Sequence, residues 1–144
     1  MSGNHRARVL VADDHRPIVE RVLAVLAEEF SVIGTVTDGA ELVAAEAALR
    51  PDVVVVDIGM PGMSGLEATA EIRSRGSLVP IVCLTAYGVS EMLEAAWRAG
   101  VSAYVSKVSL ARDLVPAIHA VLDGRRFVSG ATRPDAVPDY RPAP

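Results

Sequence analysis

Five polar positions interrupt the apolar runs of this chain. Asp13 and Asp14 close the run that begins at Arg8, and Asp57 closes the four valines Val53 to Val56. Thr85 follows the run ending at Leu84, and Lys107 stands two residues past Val105. Four valines in a row read as a strand buried on both faces, which should not end in a carboxylate unless something meets it there. Brought together, three carboxylates repel: at about 5 Å and an effective dielectric of about 20, each pair costs on the order of 3 kcal/mol. One ammonium does not offset that, so the set calls for a divalent cation. Oxygen ligands without a His or Cys set point to Mg²⁺. His5 and His119 are too scattered to form a metal site, and His15 is expected to face outward as a helix begins. Mg²⁺ beside a strand-end aspartate, with Lys and Thr facing it, suits phosphoryl transfer to the carboxylate. Lys107 and the cation would neutralise the phosphoryl oxygens, and Thr85 would donate to one of them.

The loop after Asp57 fits the same chemistry. Gly59 and Gly62 are expected to let it turn sharply and bring a backbone carbonyl near the metal, and Pro61 stiffens it. Lys107 is the only lysine, set against thirteen arginines. A compact ammonium serves one oxygen where a flat guanidinium fork would not fit. Taken singly, each residue also has an ordinary role. Asp13 and Asp14 could lead into a helix, Thr85 could sit in a turn, and Lys107 could be a solvated charge. Their joint placement is what argues for a site.

The elements that must position these groups alternate in type. Strand candidates are 8–12, 32–36, 53–56, 79–84 and 101–105. Between and after them, 17–30, 41–49, 64–75, 90–99 and 109–122 carry helical spacing or helix-forming composition. Asp38-Gly39 signals a turn, Pro51 a stop, and Gly76, Gly100 and Gly124 follow helix ends. Five strand–helix units with all-apolar strands predict an α/β fold: one doubly wound (βα)5 domain, its parallel sheet covered on both faces. Right-handed crossovers then bring every strand's carboxyl end to one rim, where ligands bind near the reversal of strand order. All five polar positions fall on that rim.

With 144 residues the chain suits one domain with a full core. Hydrophobic content of 51 % and charged content of 22 % are ordinary for a globular protein. A net charge of −4 and no Lys/Arg-rich run speak against wrapping nucleic acid. Cys83 is the single cysteine, so no internal disulfide forms, and its apolar run predicts a packed thiol. No stretch reaches the apolar length of a membrane span, and the start is too short in apolar residues for a signal peptide. The expected location is the cytoplasm. Residues 129–144, with four prolines from 131 onward, read as a tail or interdomain linker after a domain at 8–128.

VLVADDH (9–15), DIGMPGMSG (57–65), LTA (84–86), the Ala99-Gly100 pair and Tyr104 with Lys107 together resemble the receiver domain of a two-component response regulator. ADDH, Lys107-Val108-Ser109 and the ending DGRRFVS resemble the NarL/FixJ-type branch. The resemblance implies a CheY-like (flavodoxin-like) five-stranded sheet of order 2-1-3-4-5. It implies Asp57 as phosphoacceptor, Asp14 as a direct Mg²⁺ ligand, Asp13 as a ligand partly through water, and the Gly59 carbonyl as a further ligand. Thr85 and Lys107 would bind the phosphoryl group, and Tyr104 would be the switch aromatic, turning inward when Thr85 moves. A plain half-buried strand tyrosine remains the other reading of Tyr104. The donor would be a phosphohistidine on a sensor histidine kinase, and the receiver would catalyse its own phosphorylation and dephosphorylation without turning over substrate. The fourth helix, fifth strand and fifth helix would carry the output, with homodimerisation on phosphorylation.

Where many receivers place proline after the lysine, and this branch often an acid, Val108 stands, so no cis peptide is expected there. Gly59, Met60 and Tyr87 are expected to modulate the site, with bulky Tyr87 limiting water access. Nothing after Leu122 has the pattern of a DNA-binding domain. The output, expected to be transcription, would then lie in a domain outside this chain, or a stand-alone receiver would act by contact. A receiver-shaped module that works by dimerisation or partner contact without phosphate is the alternative reading. A phosphohydrolase of haloacid-dehalogenase pattern wants a second acid where Gly59 stands, and a flavodoxin-like phosphate loop would not read DDHRP.

Overall fold

The computed structural model describes residues 6–86 and 89–130, with side chains left aside at 89–91. Six strands form one parallel sheet of order β2-β1-β3-β4-β5-β6. They are β1 (Arg8–Ala12), β2 (Ser31–Val36), β3 (Val53–Asp57), β4 (Ile81–Thr85), β5 (Ala103–Ser106) and β6 (Phe127–Val128). Helices α1 (Arg16–Leu26), α2 (Gly39–Leu49), α3 (Gly65–Ser74), α4 (Val89–Ala99) and α5 (Leu110–Leu122) connect them, with a 3-10 turn at Lys107–Ser109 leading into α5. This is the doubly wound parallel α/β architecture expected from the alternation of elements, and its first five strands have the order 2-1-3-4-5. The sheet holds one strand more than the five expected, because the two residues of β6 pair with the outer edge of β5 through Ala103↔Phe127 and Tyr104↔Val128.

Local chemistry sets the helix starts. The Asp38 carboxylate accepts from Glu41 N–H at 2.8 Å and caps α2. Ser64 and Glu67 form a capping box at α3, each side chain accepting from the other's backbone N–H. Pro17 lies in the first turn of α1, where its missing N–H costs nothing. Arg50 ends α2 with φ 47°, a left-handed cap that comes before Pro51 can act as the stop.

The helices pack in two layers. α1 and α5 cover one face of the sheet through Val22, Leu26, Leu114 and Ile118 against Val9, Val11, Val53 and Val55. α2 and α3 cover the other through Leu42 and Ile72 against Leu10, Val54 and Val56. Tyr104, Cys83 and Ala96 form a third cluster beneath α4. All four valines Val53 to Val56 have zero exposure. Each stabilises the fold by roughly 1.5–3 kcal/mol, which anchors Asp57 at the end of a rigid rod. The strand order reverses between β1 and β3, whose register ends at Ala12↔Val56. One step further lie Asp13 and Asp57, side by side at the rim. Among the described residues no helix is long and apolar enough to cross a membrane.

Candidate functional site

Asp13 is held at the end of β1 by its own backbone N–H, which donates to Val36 O at 3.0 Å. Its Oδ1 accepts from His15 N–H at 2.8 Å. Its Oδ2 is buried, makes no hydrogen bond, and faces Lys107 Nζ at 3.8 Å. Asp57 is 5 % exposed; its Oδ1 forms an ion pair with Lys107 Nζ at 2.9 Å and accepts from Gly59 N–H at 3.3 Å. Asp14 is exposed at the open side of the pair. One carboxylate oxygen from each of Asp13, Asp14 and Asp57 lies within 4.8 Å of the others. Lys107 reaches this group from the first residue past β5, with its side chain 15 % exposed.

The electrostatics are unbalanced, since three carboxylates meet one ammonium. Burial pushes the Asp13 carboxyl above its ordinary value, Asp57 and Asp14 push the same way, and the His15 N–H and Lys107 oppose them. A buried carboxylate oxygen without a hydrogen bond is costly unless a cation fills its place. The donors are all oxygen and one acid is open to solvent, so the set fits a hard dication such as Mg²⁺. Asp13, Asp14 and Asp57 would hold it.

Thr85 and Tyr104 belong to the other side of the sheet. Strand alternation puts Asp13 and Asp57 on the face of Val11 and Val55, toward α1 and α5, and puts Thr85 on the face of Cys83. Tyr104 lies on that second face, paired in register with Cys83, and has zero exposure. It is not the half-buried tyrosine that its position in a strand allowed. Thr85 also has zero exposure and pairs in register with Ser106. Burial drives the Cys83 thiol far up, which leaves it an unreactive packing group.

The loop positions divide. Gly62 has φ +67°, the sharp turn expected of it, whereas Gly59 is exposed without a left-handed backbone. Met60 is 4 % exposed and packs with Ala12, Val56 and Ala68, so it supports the loop from below and does not line its open side. Val108 is 88 % exposed, and no cis peptide occurs among the described residues. Tyr87 lies outside the described residues.

Two features went unread in the sequence. A Cβ on Gly65 would come within 2.2 Å of the Asp57 carbonyl oxygen, so only glycine lets α3 begin this close to the site. Ser129 is buried and bonded to Ser106, the residue before Lys107. The first had a signal in the quoted MSG triplet; the second had none beyond the closing DGRRFVS.

A family model described as the response regulator receiver domain matches residues 9–119. The chain is similar to the transcriptional regulatory protein PdtaR of Mycobacterium tuberculosis, 36 % identical over 123 residues. That match covers 85 % of this chain and 60 % of PdtaR, so the chain spans less than two thirds of that curated relative. Among solved structures it resembles a LuxR-family two-component response regulator from Aurantimonas sp. SI85-9A1, 34 % identical with a TM-score of 0.83 over 88 % of this chain and 91 % of that one. It also resembles the signal receiver domain of a response regulator NarL from Mycobacterium tuberculosis, 29 % identical with a TM-score of 0.79 over 84 % of this chain and 99 % of that one.

Proposed function

The chain belongs to the response regulator receiver domain family, and from that premise we propose that it takes a phosphoryl group from a sensor histidine kinase onto Asp57. The observation that supports this most is the 2.9 Å approach of Lys107 Nζ to Asp57 Oδ1 beside two further acids. An Asp57 oxygen attacks phosphorus of the donor phosphohistidine; a P–O bond forms as the P–N bond breaks. The imidazole nitrogen leaves with that electron pair and takes up a proton. Lys107 moves from the carboxylate to the phosphoryl oxygens, and the Thr85 hydroxyl donates to one of them. Asp13, Asp14, Asp57 and the Gly59 carbonyl would hold Mg²⁺, which would supply charge neutralisation for the phosphoryl oxygens. Attack by water on phosphorus later breaks the Asp57 O–P bond and returns the free carboxylate and inorganic phosphate, at a rate that Gly59 and Tyr87 modulate, with Met60 bracing the loop from below. Because Thr85 and Tyr104 share one face, a shift of Thr85 toward the phosphoryl group reaches Tyr104 and the α4-β5-α5 surface.

In this reading the receiver spans residues 8–128 and takes in the buried Ser129 beyond them, and the remainder to 144 serves as a linker. The protein works in the cytoplasm and dimerises when phosphorylated. Its output is transcription, through a DNA-binding domain outside this chain and not through nucleic-acid contact of the receiver. The test uses phosphoramidate as a P–N donor, then hydroxylamine, which converts an acyl phosphate to a hydroxamate that peptide mass spectrometry can place. A hydroxamate at Asp57 is expected. Its absence would return the chain to the other reading, a module acting by contact alone.

A further inference from the structure

Outside the phosphoacceptor centre, the buried polar residues among those described are Glu46, Thr69, Asp113 and Ser129. The Thr69 hydroxyl donates to Gly65 O within its own helix. Glu46 accepts from Ser77 Oγ at 2.8 Å, away from the reactive rim. Asp113 and Ser129 are different, because they meet the strand that delivers Lys107. Ser129 Oγ donates to Asp113 Oδ2 at 2.7 Å and accepts from Ser106 N–H at 3.0 Å. Ser129 N–H donates to Tyr104 O at 2.9 Å. β6 stops at Val128, so a side-chain hydroxyl takes over as acceptor where the sheet ladder ends. Two residues before β6 ends, the Arg126 guanidinium lies over the Trp97 ring of α4, 5.2 Å from its centroid.

We propose that residues 126–129 form a latch, with Ser129 as a positioning residue that fixes the backbone at Ser106 and so aims Lys107 at the phosphoryl group. Four anchors converge on it: the β5 ladder, the Tyr104 carbonyl, the Asp113 carboxylate of α5 and the Trp97 ring of α4. Ser106 has its N–H tied to Ser129 and its own hydroxyl turned to Val108 N–H at 3.3 Å. The turn that carries Lys107 is therefore braced from both sides. Without the Ser129 hydroxyl, the Ser106 N–H loses its acceptor and Asp113 a donor, and the turn gains freedom just where the ammonium must hold position. The latch occupies the edge of β5 with the chain's own continuation.

The proposal rests on the phosphoacceptor reading, and its test separates the two. The rate of Asp57 phosphorylation by acetyl phosphate is measured at saturating Mg²⁺, together with Mg²⁺ affinity, for wild type, Ser129→Ala and Ser129→Thr. Ser129→Ala is expected to slow phosphorylation about ten-fold with Mg²⁺ affinity within about two-fold, since the acids are held by other elements. Ser129→Thr, which keeps the hydroxyl, restores the rate. A Ser129→Ala rate equal to wild type overturns the latch. So does a parallel loss of rate and Mg²⁺ affinity that threonine does not restore, which marks general unfolding. If wild type itself takes no phosphoryl group, the phosphoacceptor reading fails, and the latch with it.

Discussion

The Asp13 carboxylate has one oxygen satisfied by His15 N–H and the other buried against an ammonium 3.8 Å away. Such a group opposes folding until a cation arrives. Its raised value means the folded state binds more protons than the unfolded one between the ordinary 3.8 and the raised value. Without metal, this group's contribution makes stability rise as pH falls through that window. Asp13→Asn should therefore stabilise the protein in EDTA by up to about 3 kcal/mol per relieved carboxylate pair, seen as a higher melting temperature, while weakening Mg²⁺ binding. Thermal melts with and without Mg²⁺ check both halves; a variant less stable in EDTA would contradict the account. Gly65→Ala is the opposite case. Its Cβ would meet a backbone carbonyl that cannot rotate away, so a loss of about 2 kcal/mol or more is expected in urea denaturation. The acids and the lysine were legible because each interrupts an apolar run at its carboxyl end. The demand on Gly65 was not, because it comes from how closely α3 approaches β3, a tertiary fact.

At the scale of elements, periodicity and punctuation revealed every long strand and helix. The differences lie at the ends. β4 starts at Ile81 and not Val79, and it includes Thr85, so the hydroxyl sits inside the ladder. α1 stops at Leu26, four residues before the expected Phe30. β6 was not legible, since two residues carry no alternation and are held by the edge they join. That join depends on Asp113, whose carboxyl lies below the usual range through hydrogen bonds from Arg112 and from Ser129. Its stabilising share is full above the ordinary carboxylate value and is lost as pH falls through the lowered one. Asp113→Asn should flatten the acid limb of the stability curve below about pH 4. Denaturation midpoints across that range measure it, and an unchanged limb would remove Asp113 from the acid response.

For the whole molecule, the sheet edge matters as much as the rim. Its parallel (βα)5 character followed from alternation of elements, and the order 2-1-3-4-5 came with the family resemblance. Which residues cover the last edge was in neither, because a strand's partner is chosen by geometry far from it in the chain. In the structure the β5–β6 edge reaches the reactive rim through Ser106, the residue before Lys107, whose N–H donates to Ser129. Where binding at the rim shifts opening of the edge, opening of the edge shifts binding by the same free energy. Beryllofluoride, a phosphoryl mimic, should shift amide hydrogen exchange of residues 126–129 while leaving that of β2 unchanged. Equal shifts throughout the sheet would point to global stabilisation.

The central claim is that distant strand ends assemble one Mg²⁺-dependent phosphoacceptor. Intact-mass spectrometry after acetyl phosphate, with Mg²⁺ or with EDTA, tests it on wild type and Asp57→Ala. The account requires one added phosphoryl mass in wild type with Mg²⁺, and none in EDTA or in the variant. Equal labelling in EDTA, or in Asp57→Ala, would contradict it.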